Sequence, residues 1–168
     1  MKQLVLGTAN FGMKYGIKNG KKISFNSVYK ILSFAKKKKI KFIDTATSYG
    51  SAEKILGKIG VSNFRIITKI TLPNVKLIYL NKWFEEEILK SLERLKIKKL
   101  YGLLIHNPLY LKNDKKGKIL KYLHTLKKRG LVKKIGFSIY SPSELKFLLD
   151  HYKFDLIQLP INIVDRRF

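Results

Sequence analysis

Short runs of apolar residues alternate along the chain with longer segments in which apolar side chains recur every three or four positions. The short runs are rich in Ile, Leu, Val and Phe and are continuous, which is typical of strands buried on both faces. Strands that are separated by helices predict parallel βαβ units. The runs lie at residues 4–6, 42–44, 65–70, 100–106, 134–138 and 154–159.

The longer segments predict five helices. In the third, residues 85–87 are three glutamates, which we expect near the positive N-terminal end of the helix. The last helix has capping-box spacing, with Ser141 three residues before Glu144 and Pro142 at the first helical position. The predicted helices span residues 24–38, 51–59, 81–95, 116–128 and 142–152.

The length of the repeat separates two parallel folds. The chain has 168 residues, so six βα units average about 28 residues, close to the roughly 31 per unit of an eight-unit TIM barrel. A doubly wound fold usually has Gly-x-Gly-x-x-Gly after its first strand, but residues 7–12 read Gly-Thr-Ala-Asn-Phe-Gly. We therefore predict one α/β domain over residues 1–168: an incomplete TIM (β/α)8-type barrel of about six parallel strands with outer helices.

The net charge of +25 invites a nucleic-acid interpretation. Only five of the 36 basic residues are Arg, whereas base and phosphate recognition favours the guanidinium fork. The lysine-rich runs at residues 36–41, 96–99 and 127–134 each precede a predicted strand. We therefore expect them at helix C-termini, around the N-terminal rim of the barrel, as a solvated face that says little about a partner.

Composition excludes several other classes. The chain has no Cys and three His, which excludes disulfides, thiolate zinc sites and cysteine nucleophiles, and we expect no metal site. No run approaches the roughly 18 apolar residues of a membrane helix, and the N-terminus lacks the apolar run of a signal peptide. We expect a cytoplasmic protein without a membrane partner.

Four ionisable residues fall at or just beyond the C-terminal ends of predicted strands, where a barrel keeps its active site. Asp44 ends the second strand, and Tyr49 follows in the next loop. Lys69 lies near the end of the third strand, and His106 ends the fourth. Taken singly, each has an ordinary explanation as a turn residue, a packed ring, a solvated lysine or a core histidine.

Together these residues predict a site that protonates an alkoxide as it develops. A positive charge on Lys69 would favour the Tyr49 phenolate, whose unperturbed pKa lies near 10. Asp44 would hold Lys69 by an ion pair. His106 could hydrogen-bond a carbonyl oxygen and orient it.

The same residues belong to a set of five ordered motifs that resembles the signature of the aldo-keto reductase family. Residues 6–12, Leu-Gly-Thr-Ala-Asn-Phe-Gly, are similar to the first strand and turn of that family. The resemblance runs from residue 4 to the last residue. The motifs are Asp44-Thr45-Ala46-x-x-Tyr49-Gly50-x-Ala52-Glu53-x-x-Leu56-Gly57, Ile67-Thr68-Lys69, Leu104-Ile105-His106-Asn107-Pro108, Ile135-Gly136-Phe137-Ser138 and Gln158-Leu159-Pro160-Ile161-Asn162.

The resemblance implies a barrel that reduces an aldehyde or ketone to an alcohol with NAD(P)H. The nicotinamide would supply the hydride and Tyr49 the proton, with Lys69 and Asp44 as its tuning pair and His106 as the carbonyl orienter. NADP(H) is expected in preference to NAD(H), and the expected substrate is a small carbonyl compound. The residues implied to bind the cofactor are Gly7, Thr8, Asp44, Ser138 and Gln158.

The sequence departs from the family in two places. Ile139 stands where many members have Asn, which removes one contact to the nicotinamide amide. The chain stops at residues 165–168, where the next outer helix should begin, before the seventh and eighth strands that bind the cofactor phosphates in the family. We therefore expect a truncated chain with weak or no cofactor binding, and self-association through exposed edges of the first and sixth strands.

Two other classes of function stay open. A barrel of this type can act as a non-catalytic binding or regulatory protein. Charge alone supports a basic nucleic-acid-binding module. In a chain completed with the missing strands, replacing Tyr49 with Phe should abolish carbonyl-dependent NADPH oxidation only if the protein is the reductase. Salt-sensitive DNA binding would favour the nucleic-acid module.

Overall fold

The fold is a curled half-barrel of six parallel strands with helices on its outside. The structure, a computed structural model, describes residues 3–16, 20–73, 80–114 and 117–168. The strands pair in chain order from β1 to β6, which confirms the predicted incomplete TIM-type barrel. The strands are β1 Val5–Gly7, β2 Phe42–Asp44, β3 Arg65–Ile70, β4 Leu100–Ile105, β5 Val132–Ser138 and β6 Leu156–Gln158.

Each strand is followed by helical structure before the next strand begins. The predicted boundaries agree within two residues, except that the predicted start at residue 116 lies outside the described residues. The first helix and a 3-10 helix were not predicted because they are too short to show a helical period. The helices are α1 Ala9–Gly12, α2 Phe25–Lys37, α3 Ala52–Ile59, α4 Leu80–Leu95, α5 Lys118–Lys128 and α6 Pro142–His151, and the 3-10 helix is Pro108–Asn113.

Polar side chains fix two of the helix starts. The Ser24 hydroxyl accepts a hydrogen bond from the Ser27 backbone N–H at 3.2 Å, which caps α2. At α6 the Ser141 hydroxyl accepts from the Glu144 N–H at 3.3 Å, and the Glu144 carboxylate accepts from the Ser141 N–H at 3.2 Å. The capping box predicted for this helix is therefore confirmed, with Pro142 in the first turn.

The three glutamates of α4 do not lie where the sequence predicted them. Because α4 begins at Leu80, residues 85–87 fall beyond its first turn, and the expected interaction with the helix N-terminus is wrong. They bind cations instead: Glu85 lies 2.8 Å from Arg129 and Glu87 lies 3.0 Å from Arg94.

The two faces of the sheet differ in chemistry. Ile43, Ile66 and Leu103 belong to the buried core that packs against the helices. Paired residues of neighbouring strands project to the same face, and Asp44 pairs with Ile67, two residues before Lys69. Asp44 and Lys69 therefore share the opposite, inner face, and the register alone brings these two charges together.

Within the part of the chain that the structure describes, no helix is both long enough and apolar enough to cross a membrane.

Candidate active site

A buried ion pair forms the floor of the candidate site. The Lys69 ammonium donates hydrogen bonds to both carboxylate oxygens of Asp44, at 2.6 and 2.7 Å, and to the Thr45 carbonyl at 3.1 Å. The side chains of Lys69 and Asp44 are 2% and 14% exposed. Because little water reaches the pair, each charge is stabilised mainly by the other.

The end of the first strand supports this pair from one side. The Thr8 side chain is buried, and its hydroxyl donates to the Asp44 carbonyl at 2.9 Å. Gly7 pairs with Asp44 in the sheet register, and a Cβ atom at Gly7 would meet nothing within 4 Å. Thr8 therefore holds Asp44 in place, while Gly7 borders open space.

Tyr49 lies in a tight turn between β2 and α3. Its N–H donates to the Ala46 carbonyl at 3.1 Å, and the Thr47 N–H donates to the Lys69 carbonyl at 2.9 Å. Helix α1 packs directly on this turn, since a Cβ atom at Gly12 would lie 1.7 Å from the Tyr49 carbonyl oxygen. Only glycine allows this approach, and it keeps the Tyr49 turn against Lys69.

The electrostatics of Tyr49 differ from the sequence-based expectation. The Lys69 ammonium lies 5.0 Å from the centroid of the Tyr49 ring. Even so, burial, followed by the charge of Asp44, raises the pKa of Tyr49 to about 12. The lowering of the Tyr49 pKa that the sequence suggested is therefore wrong, because burial and the charge of Asp44 raise it. Tyr49 therefore keeps its proton at neutral pH.

His106 stands at the end of β4, beside Tyr49. The two rings make an edge contact with centroids 6.1 Å apart. The imidazole Nδ1 lies 3.4 Å from the Ser48 hydroxyl and Nε2 lies 3.5 Å from the Tyr140 hydroxyl. Burial and the charge of Lys69 lower the pKa of His106. At neutral pH His106 is therefore an uncharged ring with one N–H to donate.

A small open pocket adjoins His106. Its volume is about 340 Å³, and its walls come from the loops after β3, β4 and β5. Tyr140 and Asn107 contribute polar groups, and Pro108 and Leu109 contribute apolar surface. This is room for a small molecule next to the histidine.

Ser138 and Gln158 end the fifth and sixth strands and pair with each other in the sheet register. Ser138 is buried. The Oε1 atom of Gln158 is also buried and has no hydrogen-bond partner. An orphaned acceptor beside a hydroxyl group fits the N–H of a carboxamide, the polar group that nicotinamide carries.

The structure places all the predicted site residues at the same edge of the sheet. Asp44, Lys69, Tyr49 and His106 form one cluster. Thr8 touches that cluster directly through Asp44. Gly7 pairs with Asp44 at the end of β1, and Ser138 and Gln158 pair with each other at the ends of β5 and β6. No group of three His, Asp or Glu side chains that could hold a metal occurs among the described residues.

Sequence reasoning missed the role of Glu53. Its buried carboxylate accepts hydrogen bonds from Thr68 and Ser91, each at 2.7 Å, and from Arg94 at 2.8 Å. It therefore ties α3 to β3 and α4, just beyond the Tyr49 turn. The feature of the sequence that could have revealed this role is an acidic residue on the apolar face of a predicted helix.

Ser48 and Tyr140, the neighbours of His106, were also missed. Their positions in the sequence follow no motif that distinguishes them from other polar loop residues. Only the folded chain brings them to the imidazole.

These features define the class: a TIM-type half-barrel with Tyr49, His106 and a buried Lys69–Asp44 pair at the C-terminal edge of its strands. Residues 3–168 match the sequence model of the aldo/keto reductase family. The chain belongs to the aldo/keto reductase family. Curated protein sequences gave no match.

Solved structures of aldo-keto reductases have the same fold. A candidate aldo-keto reductase from Pseudomonas aeruginosa is 24% identical with a TM-score of 0.79, and the match covers 97% of this chain and 64% of that one. The holo form of a Bacillus halodurans aldo-keto reductase is 20% identical with a TM-score of 0.76, covering 98% and 55%. A Brucella melitensis aldo/keto reductase is 25% identical with a TM-score of 0.66, covering 94% and 57%. The chain thus spans less than two thirds of the length of these structures.

Proposed function

We propose that the chain is an NAD(P)H-dependent carbonyl reductase of the aldo-keto type, in which Tyr49 donates the proton. The observation that carries this proposal is the position of the Tyr49 ring, whose centroid lies 5.0 Å from the ammonium of the buried Lys69–Asp44 pair. The substrate would be a small aldehyde or ketone that enters the pocket next to His106.

The chain's own residues account for the proton transfer. Neutral His106 donates its N–H to the carbonyl oxygen and polarises it. As negative charge develops there, the Tyr49 hydroxyl gives its proton to that oxygen, because an alkoxide is a stronger base than a phenolate. The Lys69 ammonium, 5.0 Å from the ring centroid, then stabilises the tyrosinate, so that the pair acts after the proton has left.

Ser138 and Gln158 would hold the cofactor through the carboxamide of its nicotinamide ring. The unpartnered Gln158 oxygen supports this assignment, and Gly7 offers open space at the other side of Asp44. Bound NAD(P)H supplies the hydride to the carbonyl carbon. We propose NADP(H) in preference to NAD(H) on the family resemblance. A cytoplasmic location stays a prediction.

The proposal is tested by carbonyl-dependent oxidation of NADPH at 340 nm, with a panel of small aldehydes and ketones and millimolar cofactor. Replacing Tyr49 with Phe removes the proton and should lower the rate by at least about 100-fold. The matched control is Tyr29→Phe in α2, where the ring is 56% exposed and distant in sequence from the site, and its rate should equal the parent rate. Equal rates in the parent and Tyr49→Phe would contradict the proposal.

The second candidate is a non-catalytic binding barrel. A barrel of this type can hold a ligand without catalysing its reaction. NADPH binding by the parent, without oxidation that depends on Tyr49, would support this function over the reductase.

A further inference from the structure

A basic groove lies at the opposite edge of the sheet from the candidate active site. Its volume is about 930 Å³, and the segments that enter β3, β4 and β5 form its walls. We call it the entry groove. Six cationic residues line it: Arg65, Lys96, Lys98, Lys99, Lys127 and Lys133.

The charge of the entry groove is largely uncompensated. No Asp or Glu is among its lining residues. Lys127 forms an ion pair with Asp155 at 2.7 Å. Within the described ranges, the other five cations have no carboxylate oxygen within 4.0 Å, unlike Arg129 just outside the groove, which binds Glu85 at 2.8 Å. The groove therefore presents a concave surface of one sign, which concentrates a positive potential.

Aromatic rings fix part of this charge without neutralising it. The Arg65 guanidinium lies 5.4 Å from the Phe42 ring centroid and 5.5 Å from that of Tyr101. The Lys133 ammonium lies 5.9 Å from the Tyr101 centroid. Cation–π contacts of this kind orient a charged head group and leave its full charge available to an anion.

We propose that the entry groove binds single-stranded nucleic acid through its phosphodiester backbone. Phosphates along a flexible strand can follow a concave line of cations, which a flat membrane surface cannot enter. Scarcity of arginine argues against the reading of bases, but lysine binds phosphate well as a point charge. Because Tyr101 already contacts two cations, we expect little base stacking on it and little sequence preference.

The test is fluorescence anisotropy of a labelled 20-nucleotide oligouridylate titrated with the 168-residue chain at several salt concentrations. Five phosphate contacts at about 0.7 each predict a slope of log affinity against log salt of roughly −3.5. The groove variant Lys98→Glu/Lys99→Glu/Lys133→Glu should lose at least about tenfold in affinity at 0.1 M salt and flatten the slope by roughly 2. Oligoadenylate should bind within about threefold of oligouridylate.

A control variant separates the groove from net charge. Lys30→Glu/Lys121→Glu/Lys146→Glu changes the charge equally at exposed positions of α2, α5 and α6, and its affinity should stay within about twofold of the parent. Lys98→Gln/Lys99→Gln/Lys133→Gln gives a milder second variant and should weaken binding in the same direction. Absence of binding, equal losses in the groove and control variants, or stronger groove-dependent binding to phosphatidylserine vesicles would each overturn the proposal.

Discussion

At the scale of single residues, Lys69 differs from the other described lysines in its surroundings. Its side chain is 2% exposed, and three acceptor atoms surround its ammonium group. Burial lowers the pKa of Lys69, and the charge and hydrogen bonds of Asp44 oppose that change. The charged form of Lys69 is therefore retained through Asp44.

Replacing Asp44 with Asn should leave the Lys69 charge buried and unpaired. We expect the free energy of unfolding, measured by urea denaturation, to fall by about 3 kcal/mol. Adding Lys69→Met to that variant should recover much of the loss, because no buried charge is then left without a partner.

The control for this experiment is an exposed pair. Lys90 lies 3.9 Å from Glu86, with side chains 58% and 49% exposed, and Lys90→Ala should cost less than about 0.5 kcal/mol. A loss no larger in Asp44→Asn than in Lys90→Ala would contradict the structural role given to the buried pair.

The sequence predicts which residues reach the site but not how the site changes their pKa values. Asp44, Lys69 and His106 could be assigned to strand ends because the apolar runs mark those ends. The direction of the Tyr49 pKa could not be predicted, since it depends first on how deeply the ring is buried and then on its distance from Asp44. Both are set by the sheet register and the Tyr49 turn.

At the scale of elements, three helices end in the same way. Lys39 follows α2, Lys96 follows α4 and Gly130 follows α5, with φ angles of 58°, 54° and 73°. After each of them, the next N–H bonds back to a carbonyl five residues earlier, as in a Schellman motif. These bonds are Ile40 to Ala35 at 3.0 Å, Ile97 to Leu92 at 3.1 Å and Leu131 to Leu126 at 3.1 Å.

The two lysines pay a conformational cost that glycine avoids. We expect Lys39→Gly and Lys96→Gly each to raise the free energy of unfolding by about 0.5–1 kcal/mol. Gly130→Ala should lower the free energy of unfolding by a similar amount. Backbone strain is the only cause at this position, since a Cβ atom would meet nothing within 4 Å. Thermal and urea unfolding measure all three, and a destabilised Lys96→Gly would show that the lysine side chain contributes more than its backbone costs.

Element boundaries were predictable because continuous apolar runs and periodic segments alternate with little ambiguity. The failures were local. The start of helix α4 was predicted to within one residue, but the glutamates at residues 85–87 lie beyond its first turn and pair with basic side chains instead. Helix α1 is four residues long, so packing of Gly12 on the Tyr49 turn, and not hydrophobic period, determines it.

At the scale of the whole molecule, the two edges of the sheet have different chemistry. The C-terminal edge carries the buried pair, Tyr49 and His106. The N-terminal edge carries lysine-rich helix ends and the entry groove. The sequence predicted this separation from the position of lysine runs before strands, but not the concavity of the basic edge, which arises from how three entering segments pack.

The first and last strands are the edges of the sheet. Strands β1 and β6 each pair with one neighbour among the described residues. Beside them Leu4 is 74% exposed, and Ile163, beyond β6, is 94% exposed. Apolar edge segments of this kind favour association with another chain. Self-association through them stays a prediction of the sequence.

The proposed reduction depends on Tyr49 being a protonated donor beside the Lys69–Asp44 pair, and titration of Tyr49 is the decisive experiment. Because its folded pKa lies above the ordinary 10.0, the stability that Tyr49 contributes is present below pH 10 and lost as pH rises towards 12. With 13C-labelled tyrosine and Tyr49→Phe for assignment, NMR should give a pKa of about 12. In Asp44→Asn the value should fall, because the carboxylate charge that helps to raise it is gone. A pKa of 10.0 in the parent, or no change in Asp44→Asn, would contradict the role given to Tyr49 and Asp44.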